Sequence, residues 1–106
     1  MMLLSRNEEI LLLAIWKLEK NAYGVTIRDL ISEITGYKWT FGAVYVPLDK
    51  LTRKGFIQKT ISSPTSKRGG RSKCMYDLTK DGRSALKEIR KVHSALWEGV
   101  PEKAFD

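Results

Sequence analysis

Residues 56–79, FIQKTISSPTSKRGGRSKCMYDLT, carry the pattern that is most informative about the fold. Two short segments, 56–61 and 73–78, are rich in β-branched, aromatic and threonine residues. Between them lie eleven residues dense in serine, glycine, proline and cations. Segments of the first composition are typical of β-strands, and a cluster of turn formers between two of them indicates a hairpin. The stretch therefore predicts a two-stranded hairpin with a long basic tip.

Three helices are predicted ahead of this hairpin. Ser5 and Glu8 form a Ser-x-x-Glu capping box before the first apolar run. Gly36 is placed to end the second helix, and Thr40 is placed to cap the third. Apolar residues at helical spacing then predict the stripes that face the core. These stripes are Leu11, Ala14, Ile15 and Leu18, then Ile27, Leu30, Ile31 and Ile34, then Phe41, Val44, Leu48 and Leu51.

A fourth helix, capped by Thr79, is predicted to follow the hairpin. Its apolar side carries Leu86, Ile89, Val92, His93, Leu96 and Trp97. The first helix has a second apolar strip as well, Leu12 and Trp16, away from its core stripe. A helix that is apolar on more than one side is covered by a second body in addition to its own core.

Three short helices, a two-stranded hairpin and a closing helix are the element order of a winged helix-turn-helix. The predicted fold class is therefore α+β, mostly α, with a three-helix core, a two-stranded β-wing and one C-terminal helix. The second and third helices form the helix-turn-helix in this interpretation. The N-terminal half of the third helix is then the part that enters the major groove.

The charge is concentrated in one part of the chain. Nineteen lysines and arginines against twelve acidic residues give a net charge of +7. Residues 50–91 alone hold thirteen basic and three acidic residues, a net charge of +10. A basic excess of this size favours an anionic partner such as nucleic acid. For the five cations and no acids of residues 59–73, charge alone supports a solvated loop and a phosphate-contacting patch equally.

Several classes of protein are excluded by what the sequence holds. One cysteine, Cys74, and one histidine, His93, cannot form a disulfide, a four-ligand zinc site or a Cys-His-acid triad. The longest apolar run is seven residues, too short to span a bilayer, and no signal peptide is recognisable. We expect a cytoplasmic protein with no membrane partner, no cofactor and no metal. We expect no enzyme either, because a Gly-rich phosphate loop and a nucleophile–base pair are lacking.

The predicted DNA contacts lie on the third helix and on the wing. Opposite the core stripe, the third helix carries Gly42, Val46, Asp49, Lys50 and Arg53. Small residues at its start allow close approach to a duplex, and its first turn offers donors to a phosphate. The same features are also those of an ordinary capped, solvated helix, and Tyr23 fits core-edge packing as well as phosphate donation. The candidate DNA-binding residues are Tyr23, Thr40, Gly42, Ala43, Tyr45, Lys50, Arg53, Arg68, Arg71 and Lys73.

An ordered set of short motifs resembles the PadR family of bacterial transcriptional regulators. The motifs are Tyr23-Gly24, Gly42-Ala43-Val44-Tyr45, Lys54-Gly55-Phe56-Ile57 and the run GRSKCMYDLTKDG at 70–82. The resemblance extends from Leu4 to Trp97 and is that of the short branch with a single C-terminal helix. One position departs from the family pattern, because Val46 separates Tyr45 from Pro47 where many members have proline directly after the tyrosine.

The resemblance implies a homodimer, joined through the C-terminal helix and the partner's N-terminal region, that represses a promoter until a small molecule releases it. Residues 1–78 are then the DNA-binding part of one structural domain, and 79–106 are the dimerisation helix and a short tail. The expected DNA is an inverted-repeat operator. The predicted dimer interface, or site for a flat aromatic effector, comprises Leu12, Trp16, Ile89, Val92, Leu96 and Trp97. The alternative is a winged-helix protein-interaction module that binds an acidic partner.

Overall fold

Three helices, a two-stranded antiparallel sheet and a long closing helix follow one another along the chain, which confirms the predicted fold class. The computed structural model describes residues 3–61 and 73–101. The elements are α1 (Arg6–Leu18), a 3₁₀ turn (Glu19–Asn21), α2 (Gly24–Thr35), α3 (Phe41–Arg53), β1 (Ile57–Ile61), β2 (Cys74–Leu78) and α4 (Lys80–Trp97). The predicted tip of the hairpin, 62–72, lies outside the described residues.

The helix ends are set by the caps that the sequence predicts. The Ser5 hydroxyl accepts from the Glu8 N–H at 3.2 Å, and the Glu8 carboxylate accepts from the Ser5 N–H at 2.9 Å. The Thr40 hydroxyl accepts from the Ala43 N–H at 3.1 Å at the start of α3. Gly36 ends α2 with a φ of 76°, a left-handed conformation that favours glycine.

One core joins all the helices to the inner face of the sheet. The antiparallel register places Ile57 opposite Leu78 and Ile61 opposite Cys74. Residues from α1, α2, α3, both strands and α4 are buried together. Ile34 and Phe41, which were predicted to face the core, are exposed, and Leu12, which was predicted to form an uncovered strip, is fully buried.

The start of α4 is fixed against the turn between α3 and β1. The Thr79 hydroxyl donates to the Gly55 carbonyl at 2.6 Å and accepts from the Gly82 N–H at 3.1 Å. The Thr79 N–H donates to the Phe56 carbonyl at 3.1 Å. A side chain at Gly82 would overlap that same carbonyl oxygen, so the helix can approach this closely only with glycine there.

An ion pair ties the first turn of α1 to the end of α3. The Lys54 ammonium lies 2.7 Å from the Glu8 carboxylate. Burial alone would raise the pKa of Glu8, but the hydrogen bond and charge of Lys54, with the Ser5 cap, outweigh it. Together they hold that pKa below its ordinary value of 4.5. Because the folded chain holds the proton less tightly than the unfolded one, the carboxylate stabilises the fold above its ordinary pKa. That stability is lost as the pH falls through the folded-state pKa.

Glu8→Gln is expected to remove this pH dependence while keeping an oxygen that accepts the Ser5 N–H. At about pH 7 we expect a loss of a few tenths to about 1 kcal/mol in the free energy of unfolding, the range for partly exposed ion pairs. At about pH 3.5 the difference between the variant and the natural chain is expected to shrink. Urea unfolding at both pH values measures it. Glu33→Gln, the same change at an exposed position, is the control, and an equal pH response from both variants contradicts the assignment.

Candidate nucleic-acid interface

The outward face of α3 is the surface that the sequence predicts. Val44, Leu48 and Leu51 point into the core and are fully buried. The opposite side is exposed and carries Gly42, Val46, Asp49, Lys50 and Arg53. The helix runs unbroken through Pro47, which has no N–H for the Ala43 carbonyl. Val46, the additional residue between Tyr45 and Pro47, therefore does not interrupt α3, which is a single helix of thirteen residues.

Aromatic side chains of α3 pack against the first residues of α2, together with the cationic side chain of Arg28. The Tyr45 ring stacks on Phe41 with centroids 6.0 Å apart, and the Arg28 guanidinium lies 4.2 Å above the Phe41 ring. The Tyr45 phenol occupies the place where a side chain at Gly24 would be. Sequence reasoning missed this contact, although Tyr23-Gly24 and Gly-Ala-Val-Tyr were both recognised as motifs. Tyr45 is therefore placed to set the angle between α3 and α2.

The base of the wing lies beside the first residues of α2. The Lys73 ammonium is 4.3 Å above the Tyr23 ring. The Tyr76 N–H donates to the Ala22 carbonyl at 2.8 Å, and Tyr23 pairs with Met75 as an isolated bridge. The structure thus brings together two of the candidate residues, Tyr23 and Lys73. Arg68 and Arg71 lie outside the described residues.

The Tyr76 side chain is buried in the core, with 4% of its surface exposed. Its burial, first of all, raises its pKa far above the ordinary value of 10, and a hydrogen bond to Cys74 and the nearby charge of Asp49 act in the same direction. Tyr76 is therefore a neutral packing residue of the core. Cys74 is half-buried and packs against the same core.

A second candidate surface is the groove between α1 and α4, which has a volume of about 850 Å³. Trp16 and Trp97 line it and are 49% and 60% exposed. Glu9 reaches the His93 imidazole at 3.2 Å across it. Cations from α4 line the remaining wall, namely Lys80, Arg83, Lys87 and Arg90.

This surface differs in two positions from the one predicted for a partner. Leu12 is 0% exposed and Ile89 is 6% exposed, so both belong to the chain's own core instead. Leu13, which sequence reasoning did not select, is the exposed leucine beside Trp16. The run Leu11-Leu12-Leu13 is apolar throughout, and periodicity alone could not say which member points outward. Val92 is half-buried against the core, whereas Leu96 and Trp97 are exposed.

Within residues 3–61 and 73–101, no group of three histidine, cysteine or acidic side chains is placed to hold a metal ion. None of the helices described there is both long and apolar enough to cross a membrane.

A helix-turn-helix with an exposed third helix, followed by a β-hairpin whose base packs beside it, defines a winged-helix protein. The model of the transcriptional regulator PadR-like family matches residues 12–88. The chain therefore belongs to the PadR-like family of transcriptional regulators, which confirms the resemblance found in its motifs. This family consists of regulators and not of enzymes, as predicted.

Solved structures of this family share the fold. A PadR family regulator from Clostridium difficile R20291 is 27% identical with a TM-score of 0.70, over 93% of this chain and 98% of that one. Bacillus subtilis PadR in complex with operator DNA is 26% identical with a TM-score of 0.60, over 78% of this chain and 45% of that one. A PadR-like transcription factor from Bacteroides fragilis is similar in fold, with 23% identity and a TM-score of 0.73 over 86% and 82%. No curated protein sequence matches the chain.

Proposed function

We propose that this protein is a homodimeric, sequence-specific DNA-binding repressor that a small aromatic effector releases from an inverted-repeat operator. The observation that carries the proposal is the outward face of α3, exposed along its whole length in a winged helix of a regulator family. Similarity to a relative solved with operator DNA supports the choice of partner. The DNA-binding part is residues 1–78, and the dimerisation part is residues 79–106.

The contacts with DNA divide by chemistry. The first turn of α3 offers its free N–H groups, and with the Thr40 hydroxyl it suits a phosphate. Lys50 and Arg53 are exposed on the last turns of α3 and supply positive charge for further phosphates of the duplex. Lys73 extends the positive charge to the base of the wing, 4.3 Å from Tyr23. Phosphate contacts of this kind fix the position of a protein on a duplex, and the bases are read by other groups.

The dimer is argued from the second surface. Leu13, Trp16, Leu96 and Trp97 leave large apolar areas of α1 and α4 exposed in the single chain. Covering them with a second copy would place two α3 helices on one duplex, on the order of 34–36 Å apart. The groove between α1 and α4 lies at the same seam, and its tryptophans suit a flat aromatic effector by offset stacking.

Lys50→Gln is expected to weaken binding to the preferred site and to an unrelated duplex by similar factors. The physical reason is that a lysine on a phosphate acts through charge, and each lost contact reduces the magnitude of the salt slope by about one unit. Two contacts per dimer give about two units. Fluorescence anisotropy over a series of salt concentrations measures the slope. The same result is expected for Arg71→Ala, a prediction that rests on the sequence alone.

Lys91→Gln is the matched control, because it removes the same charge from an exposed position of α4 outside the groove. It is expected to leave the salt slope nearly unchanged. A loss confined to the preferred site would place Lys50 on a base edge. Failure of the natural chain to bind any duplex at low salt would contradict the proposal, and capture of an acidic protein by the same surface would favour the protein-interaction module.

A further inference from the structure

On the outward face of α3, the N-terminal half carries no side chain that can hydrogen-bond to a base edge. Gly42 and Val46 are its exposed residues opposite the core stripe, the exposed Ala43 lies at the edge of that face, and Val46 is 59% exposed. The polar residues of this face, Asp49, Lys50 and Arg53, all come later in the helix. Of the neighbouring aromatic residues, Tyr45 is turned toward α2, where it packs over Gly24.

The major groove offers one feature that an apolar face can recognise. Thymine presents a C5-methyl group there beside its O4 acceptor, whereas guanine, cytosine and adenine present only hydrogen-bond donors and acceptors. An apolar face pressed against a G·C pair would leave those groups without partners and without water, which is unfavourable. The same face against a thymine methyl buries apolar surface on both sides.

We propose that Val46, with Ala43 beside it, reads thymine in the operator half-site by contact with the C5-methyl group. This inference rests on the proposed DNA binding and says which bases α3 selects. Gly42 has nothing within 4 Å of the place of a side chain, so the helix start leaves open space for a duplex to come close to Val46. Lys50 and Arg53 lie on the same side of α3 and match the charge of the phosphates that flank such a contact.

Deoxyuridine provides the test, because it differs from thymidine only by the missing methyl group. The preferred duplex is first selected from a random-sequence pool with the natural chain. Each thymine of the half-site is then replaced by deoxyuridine, in one half-site and in both. At the thymine that faces Val46 we expect binding to weaken about fourfold for one half-site and about 15-fold for both, from the methyl surface no longer buried.

Val46→Ala is expected to reduce this discrimination between thymine and uracil to about twofold or less while binding to DNA persists. Alanine is a better helix former than valine, so the variant keeps α3 intact. Ile34→Ala is the control, since it shortens an exposed apolar side chain of the same helix-turn-helix outside α3.

The outcomes separate the two proposals. Discrimination that Val46→Ala removes and Ile34→Ala leaves in place supports readout by Val46. A selected site without thymine in its half-site, or one that binds equally well with uracil at every position, overturns the inference and leaves DNA binding standing. Discrimination that survives Val46→Ala unchanged overturns it as well. A chain that selects no duplex overturns both.

Discussion

Gly82→Ala is expected to lower the free energy of unfolding by about 3 kcal/mol, the upper range for an overpacked core site. The added methyl group would overlap the Phe56 carbonyl oxygen, and backbone cannot turn aside as a side chain can. That carbonyl also accepts the Thr79 N–H at 3.1 Å, so moving it costs a hydrogen bond at the start of α4. The higher helix propensity of alanine compared with glycine offsets about 1 kcal/mol of this loss at most. A melting point lower by about 10 °C or more, by circular dichroism, is the expected reading.

Gly42→Ala is the matched control for this change. Gly42 is also a helical glycine near an N-terminus, but nothing lies within 4 Å of its added side chain. The propensity of alanine then acts alone, and we expect equal or slightly greater stability, by up to about 1 kcal/mol. Equal melting points for the two variants would show that the approach of α4 to the α3–β1 turn does not depend on glycine.

The elements of this fold were predictable because local chemistry determines them. The Ser5–Glu8 box, the Thr40 and Thr79 caps and the left-handed Gly36 each depend on residues within a few positions of one another. The alternation in β2 likewise follows from the strand itself, since Tyr76 and Leu78 face the core and Asp77 between them is exposed.

The misplaced residues depend on neighbours that are distant in sequence. Phe41 has the right spacing for the core stripe of α3, but it lies at the edge where α2 passes and takes a position under Arg28. Ile34 continues the apolar period of α2 but is 63% exposed. Periodicity gives the direction of a buried face, whereas its width is set by the elements packed against it.

The candidate site was predictable to the same extent. The outward face of α3 follows from its core stripe, so its exposed residues were placed correctly. The roles of Gly24 and Gly82 could not be derived, because each depends on one tertiary contact, with the Tyr45 ring and with the Phe56 carbonyl. A sequence shows that glycine is present, but it does not show which neighbouring atom occupies the place of the missing side chain.

Trp97→Ala is expected to raise the dissociation constant of the dimer more than 100-fold. Trp97 is 60% exposed and Trp16 is 49% exposed, and both line the groove between α1 and α4. Tryptophan is enriched among the residues that dominate interface energies, and truncating a buried one costs on the order of 3 kcal/mol or more. In the proposed two-fold dimer the substitution removes two tryptophans at once. Sedimentation equilibrium across a range of concentrations measures the constant.

Tyr37→Ala is the control, because Tyr37 is an exposed aromatic residue at the turn between α2 and α3, away from the groove. It is expected to leave the dimer unchanged.

The effector proposal predicts a different result for Trp97→Ala. If Trp97 serves chiefly to stack on a flat ligand, Trp97→Ala keeps the dimer and its DNA affinity but loses the quenching of tryptophan fluorescence by planar aromatic compounds. A weakened dimer together with no quenching in the natural chain would assign Trp97 to the interface alone, because burial against the partner then accounts for its position.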